Sequence, residues 1–120
     1  MAANRTPELA TKATATLAWV ILLASAVLEA VWATALGLSD GFTRPLPTLV
    51  FAVTATLSMA GLGLAVKNIP LGTAYAVWVG VGVVLTSGYA MIAKVERATA
   101  ARILLLGGIA ASVVGLKLVA

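Results

Sequence analysis

The chain has 120 residues, 62% hydrophobic and 10% charged, with a mean hydropathy of +1.09. A soluble domain carries about 25% charged residues, so the deficit excludes a mainly water-facing surface and makes lipid the principal solvent. The formal charge of +4 comes from eight basic residues scattered singly at the ends of apolar runs, which argues against the clustered basic face of a nucleic-acid binder.

The chain has neither cysteine nor histidine. Disulfides, thiolate metal sites, imidazole-ligated zinc and His-based acid–base chemistry are therefore unavailable, and no metal or cofactor is expected. The first sixteen residues, "MAANRTPELATKATAT", are small and polar and read as a disordered or surface-lying tail, 1–16. A signal peptide would continue into an apolar region of about 7–15 residues with a small-residue cleavage site. The run that follows is longer and has no clear site of that kind, so it is expected to be a retained helix.

A spanning helix needs about 20 mostly apolar residues. Four stretches qualify within 17–120: 17–38, 46–66, 71–93 and 102–119. The breaks between them are chemically explicit. "SDGFTRPLP" holds a turn glycine and two prolines, "KNIPLG" places Pro70 where a helix would restart, and "KVERATAAR" is the one charged cluster. Connections this short make neighbouring helices antiparallel. The expected fold class is an all-α membrane protein with a four-transmembrane-helix subunit.

Lysine and arginine bias in short loops usually sets orientation. Arg5, Lys12, Lys67 and Lys117 fall on one side, and Arg44, Lys94, Arg97 and Arg102 on the other. The tie permits insertion in both orientations and pairing of oppositely oriented copies. Discounting the distant tail charges instead leaves a weak bias towards the second side being inside.

The first span contains Glu29, the one acidic residue in any of the four spans. An ionisable residue at mid-bilayer costs roughly 2.5–3.5 kcal/mol on insertion scales, and by default it marks an ion or substrate pathway. The structural alternative is a protonated glutamate acting as helix glue. That role would want a lysine, histidine or amide partner at mid-membrane, and no span offers one; Lys117 is near enough to an end to snorkel. At helical periodicity Glu29 shares a face with Ser25, Ala26, Trp32, Ala33 and Leu36.

In the second span Thr54, Ser58, Gly61 and Ala65 form a stripe, with Ser58 level with mid-membrane. Its hydroxyl could donate to a carboxylate, although a lone membrane serine more often bonds back to its own helix. The third span opens "PLGTAYAVWVGVGVV", placing Tyr75 and Trp78 one turn apart. Trp19 reads as an interfacial belt residue, whereas Trp32 and Trp78 lie deeper. Buried indole and phenol groups need acceptors, and Glu29 is the evident one. "GVGVVL" lacks the third glycine and the preceding strand of a phosphate loop. Gly80 and Gly82 read instead as a conformational hinge. In the fourth span, Gly108 with Ser112 and Ala111 with Gly115 make small-xxx-small steps suited to dimer packing, or equally to packing within one chain.

Four helices of this length are too few to enclose a roomy polar cavity. Two copies would bring two Glu29 side chains towards a common axis, walled by Trp32, Tyr75 and Trp78. Acidic groups with aromatic walls and no basic residue suit a cation, and a proton can occupy the same oxygens. Competition of proton and cation for one site is the minimum chemistry for antiport. The protein is therefore expected to be a transporter, not an enzyme.

"LEAVWA" in the first span, "GFTR" in the first loop, "GTAYAVWVGVG" in the third span and "GLK" near the end resemble the small multidrug resistance transporters, in particular their guanidinium-exporter subtype. The resemblance runs from about Trp19 to Lys117. It implies an antiparallel, dual-topology homodimer in the bacterial inner membrane that exchanges protons for guanidinium-type cations by alternating access. It further implies that Glu29 is the shared proton and substrate carboxylate, and that Ser58, Trp32, Tyr75 and Trp78 orient it. Some members pair as non-identical subunits. Three positions depart from the subtype: Ala26 for a glycine, Val79 for a threonine and Gly37 for a lysine. These departures are compatible with larger or more hydrophobic cations. A quaternary-ammonium exporter on the same scaffold and a non-transporting partner subunit therefore remain as alternatives.

Overall fold

A computed structural model describes residues 2–119, with side chains over 12–119. Four helices follow one another: α1 (Ala2–Leu38), α2 (Pro45–Ala65), α3 (Leu71–Ile92) and α4 (Ala100–Val119). All four are long and apolar enough to cross a membrane, and this is a multi-pass membrane protein. The bounds of α2, α3 and α4 lie within two residues of the expected spans. The first differs more: α1 begins well before residue 17. Lys12 to Thr16 is built of alanine, threonine and lysine with no glycine or proline, so nothing halts the helix there. The α1 backbone runs back to Ala2, through the stretch read as a tail; whether that stretch lies along a surface is a question outside the described side chains.

The first turn is built around Ser39. Its side chain donates to the Leu36 carbonyl at 2.7 Å and accepts from the Phe42 amide at 3.2 Å. Its carbonyl accepts from the amides of Thr43 and Arg44 at 2.9 and 3.0 Å. Asp40, Gly41 and Phe42 all sit at positive φ, 50°, 66° and 66°, a conformation that only the glycine takes without steric cost. Arg44 is extended, as a residue before proline should be, and Pro45 opens α2. Between α3 and α4, Arg102 pairs with Glu96 at 2.9 Å, an exposed contact worth little to stability.

α1 is the central helix, flanked by α2 and α3, while α4 packs chiefly on α3. Its partnership with α2 follows a seven-residue spacing. Trp32 meets Phe51, and one layer on Ser58 bonds to Ser25. In the next layer Ala18 and Ala65 are both buried. Small residues there let the backbones approach, as usual where lipid supplies no hydrophobic drive to associate. Gly61 is part of this contact, because a Cβ built on it would overlap the Ser25 side chain. α4 has no buried residue; Ile109 and Val113 face Gly80 of α3. At its far end Lys117 Nζ lies 4.7 Å from the centroid of Trp19, a cation–π contact that ties α4 back to α1.

Candidate functional site

Glu29 projects from α1 towards α3, and its carboxylate lies against Gly82 so closely that a Cβ there would overlap it. Gly82 is buried, as is Gly80 two residues earlier, where a Cβ would come within 2.6 Å of Val113. α3 is one continuous helix from Leu71 to Ile92. In this conformation the two glycines therefore serve close approach, Gly82 to the carboxylate and Gly80 to α4.

Beside the carboxylate runs a chain of hydrogen bonds that links three helices. Trp78 Nε1 of α3 donates to Ser58 Oγ of α2 at 3.2 Å. Ser58 Oγ donates to the Ser25 carbonyl of α1 at 2.7 Å. By helix geometry that carbonyl also receives the amide of Glu29, four residues on, so the chain ends on the turn that carries the acid. Ser58 is fully buried and uses its hydroxyl both as donor and as acceptor, which removes the cost of burying it.

Two expectations about these residues are corrected. The Trp78 indole does not use Glu29 as its acceptor; it donates to Ser58 Oγ. The Ser58 hydroxyl neither returns to its own helix nor donates to the carboxylate; the close α1–α2 contact brings the Ser25 carbonyl within reach first. Ser25 in turn directs its own hydroxyl to the Ile21 carbonyl at 2.7 Å. Tyr75 packs edge-on against Trp78, with ring centroids 6.0 Å apart, and is half-exposed.

Among the described residues, two buried side-chain polar atoms have no hydrogen-bond partner: Glu29 Oε2 and Trp32 Nε1. One accepts and the other donates, and they lie three residues apart on one helix. A buried polar atom without a partner is costly, so the two together single out this stretch of α1 as a candidate site. The described basic side chains all lie in loops or near span ends. An unpaired carboxylate with no local cation is equipped to take a cation from outside.

A groove of about 420 Å³ is lined by Val31, Thr34, Val50, Leu85 and Tyr89 among others, and carries no charged group. It lacks the chemistry that Glu29 supplies. Of the three departures, Ala26 is fully buried in the helix core and Val79 packs against that core, whereas Gly37 has open space around it. The sequence pattern alone did not reveal Phe51 against Trp32 or the Ser25 carbonyl as an acceptor, though the matching seven-residue spacings on α1 and α2 were present to be read. Gly108, Ala111 and Ser112 lie exposed on the side of α4 away from α3, with Gly115 partly covered.

Comparison with known proteins agrees with this architecture. A guanidinium exporter of Yersinia pseudotuberculosis is 44% identical over 102 residues, covering 85% of this chain and 98% of its own. Guanidinium exporters of Salmonella typhimurium (strain LT2) and Klebsiella oxytoca are 42% and 41% identical, each over 85% of this chain and 97% of their own. The family profile described as Small Multidrug Resistance protein matches residues 17–109, so the four-helix chain that carries Glu29 belongs to the small multidrug resistance family.

Proposed function

We propose that the protein is a secondary active transporter that exports guanidinium and related guanidinyl cations across the bacterial inner membrane in exchange for protons. The observation that carries this reading is the partly buried Glu29 carboxylate, set against Gly82 of α3, whose buried oxygen lacks a partner. A planar guanidinium donates paired N–H bonds to a carboxylate. When the cation leaves, a proton can neutralise the same oxygens, so neither the loaded nor the empty site carries a bare charge through the bilayer. No covalent step is needed.

The functional unit is a dimer of oppositely oriented copies, which places two Glu29 side chains near one axis. The stripe of Gly108, Ala111 and Ser112 on α4, exposed, with the partly covered Gly115, is the surface for the second copy, or for a homologous partner. Gly80 and Gly82 are where α3 bends as access changes sides. Ser58 and Trp78 hold the Glu29 turn, while Trp32 and Tyr75 wall the site.

The test is to reconstitute the protein in liposomes, impose a gradient of guanidinium or of a tetraalkylammonium ion, and record the proton movement each drives. Movement with guanidinium alone supports this reading. Movement with both makes the protein a broad cation exporter, and movement with neither makes it a non-transporting subunit.

A further inference from the structure

Resting on that reading, we propose that Gly61 of α2 is a positioning residue for Glu29. It sets the approach of α1 and α2 at which the Ser58 hydroxyl reaches the Ser25 carbonyl. Gly61 follows Ser58 by three residues, so the two share the face of α2 that lies on α1. A Cβ built at Gly61 would overlap Ser25 Oγ, and would stand 3.1 Å from Ser25 Cβ and 3.7 Å from Ile21 Cγ2. Ser25 is buried and its hydroxyl is committed to the Ile21 carbonyl. Turning that hydroxyl aside strands it in a buried place, so a side chain at position 61 pushes the two helices apart instead. The glycines of α2 differ in this respect: Gly63, two residues on, has nothing within 4 Å of a built Cβ.

That contact controls the turn that carries the acid. The Ser25 carbonyl accepts from Ser58 Oγ at 2.7 Å and, by helix geometry, from the Glu29 amide. A hydroxyl bond of this kind is gone by about 3.6 Å, so a separation of less than one ångström is enough to break it. Gly61 and Ser58 are one turn apart on α2, as Ser25 and Glu29 are on α1. Both turns lie inside continuous helix, so no flexible link absorbs a shift imposed at Gly61. The Glu29 turn then loses its tie, through Ser58, to Trp78 of α3. A carboxylate on an untied turn must be ordered when the cation arrives, and that ordering is subtracted from affinity. Gly61 therefore acts on the cation through Ser25 and Ser58 without touching it.

The experiment compares Gly61→Ala, Ser25→Ala and the double variant of the full chain, with Gly63→Ala as the control for a methyl group added to α2. Alanine is the better helix former, so any loss in Gly61→Ala is not a loss of helix. In lipid bicelles the nitrogen–proton NMR signals of the Glu29 amide and the Trp78 indole report the turn and its tie. Gly61→Ala should shift both, and Gly63→Ala neither. In liposomes Gly61→Ala should raise the guanidinium concentration for half-maximal exchange about 3- to 18-fold, the range for loss of one hydrogen bond between membrane helices. The maximal rate should change less. Ser25→Ala removes the overlapping oxygen and keeps the backbone carbonyl, so in that background Gly61→Ala should cost little in half-saturation and leave both signals near those of Ser25→Ala alone. A Glu29 signal unchanged by Gly61→Ala, or an equal penalty with and without the Ser25 hydroxyl, overturns the proposal. If unaltered protein moves no protons with guanidinium, the export reading fails, and the Glu29 signal still decides whether Gly61 positions the turn.

Discussion

Gly82 and Glu29 are in such close contact that the α-carbon of one leaves no room for a methyl group beside the carboxylate of the other. The acid therefore depends on a residue from another helix having no side chain. Gly82→Ala should displace the carboxylate and cost about 1–3 kcal/mol, as overpacking of a tight site does. The expected readout is loss of guanidinium-driven proton movement with the dimer still formed. Gly63→Ala, on an exposed part of α2 with open space around it, should leave exchange unchanged. Normal exchange by Gly82→Ala would show that the carboxylate does not work from the position seen here.

Glu29→Gln preserves the shape but replaces one acceptor oxygen with an NH2 donor and removes both the charge and the titration. Guanidinium gradients should then drive no more proton movement than in empty liposomes, while assembly is retained. In the unaltered protein, cation and proton compete for the ionised carboxylate. Apparent guanidinium affinity should therefore fall with pH, by about tenfold per unit for each proton displaced, once the site is mostly protonated. An affinity independent of pH between acidic and alkaline buffers would contradict exchange at this residue.

The bond from Trp78 to Ser58 is one link in a path to the Glu29 turn. Ser58→Ala should destabilise the protein by about 1 kcal/mol, because it strands the buried Trp78 donor, and should weaken guanidinium binding. Trp78→Phe removes the donor itself. The double variant should be less destabilised than the sum of the two, by about 0.6–1.7 kcal/mol, the range found for hydrogen bonds between membrane helices. Full additivity in unfolding measurements would mean that the bond contributes nothing.

Gly108 and Gly80 separate the two kinds of small-residue contact. Gly108 has open space around it within one subunit, whereas Gly80 faces Val113. Gly108→Leu should leave helix content intact and abolish chemical cross-linking of two copies. Gly80→Leu should instead lower the thermal stability of the subunit. If Gly108→Leu cross-links as before, the second copy packs elsewhere.

Much of this protein is local, and what is local is legible in the chain. Runs of apolar residues long enough for a bilayer, interrupted by Gly41, Pro45 and Pro70, define the spans because lipid forces each run to satisfy its backbone within one helix. The same reasoning singles out Glu29, since no local contact justifies an acid at that depth. Helical periodicity also reports which residues share a face, and placed Ser25 and Trp32 beside it. Periodicity carries no information about which face meets which helix, and there the reading fell short. Only the packing of α2 on α1 decided that Ser58 bonds the Ser25 carbonyl, that Trp78 is satisfied by Ser58, and that Phe51 meets Trp32. Those partnerships depend on how closely two backbones approach, a distance set by residues far apart in the chain.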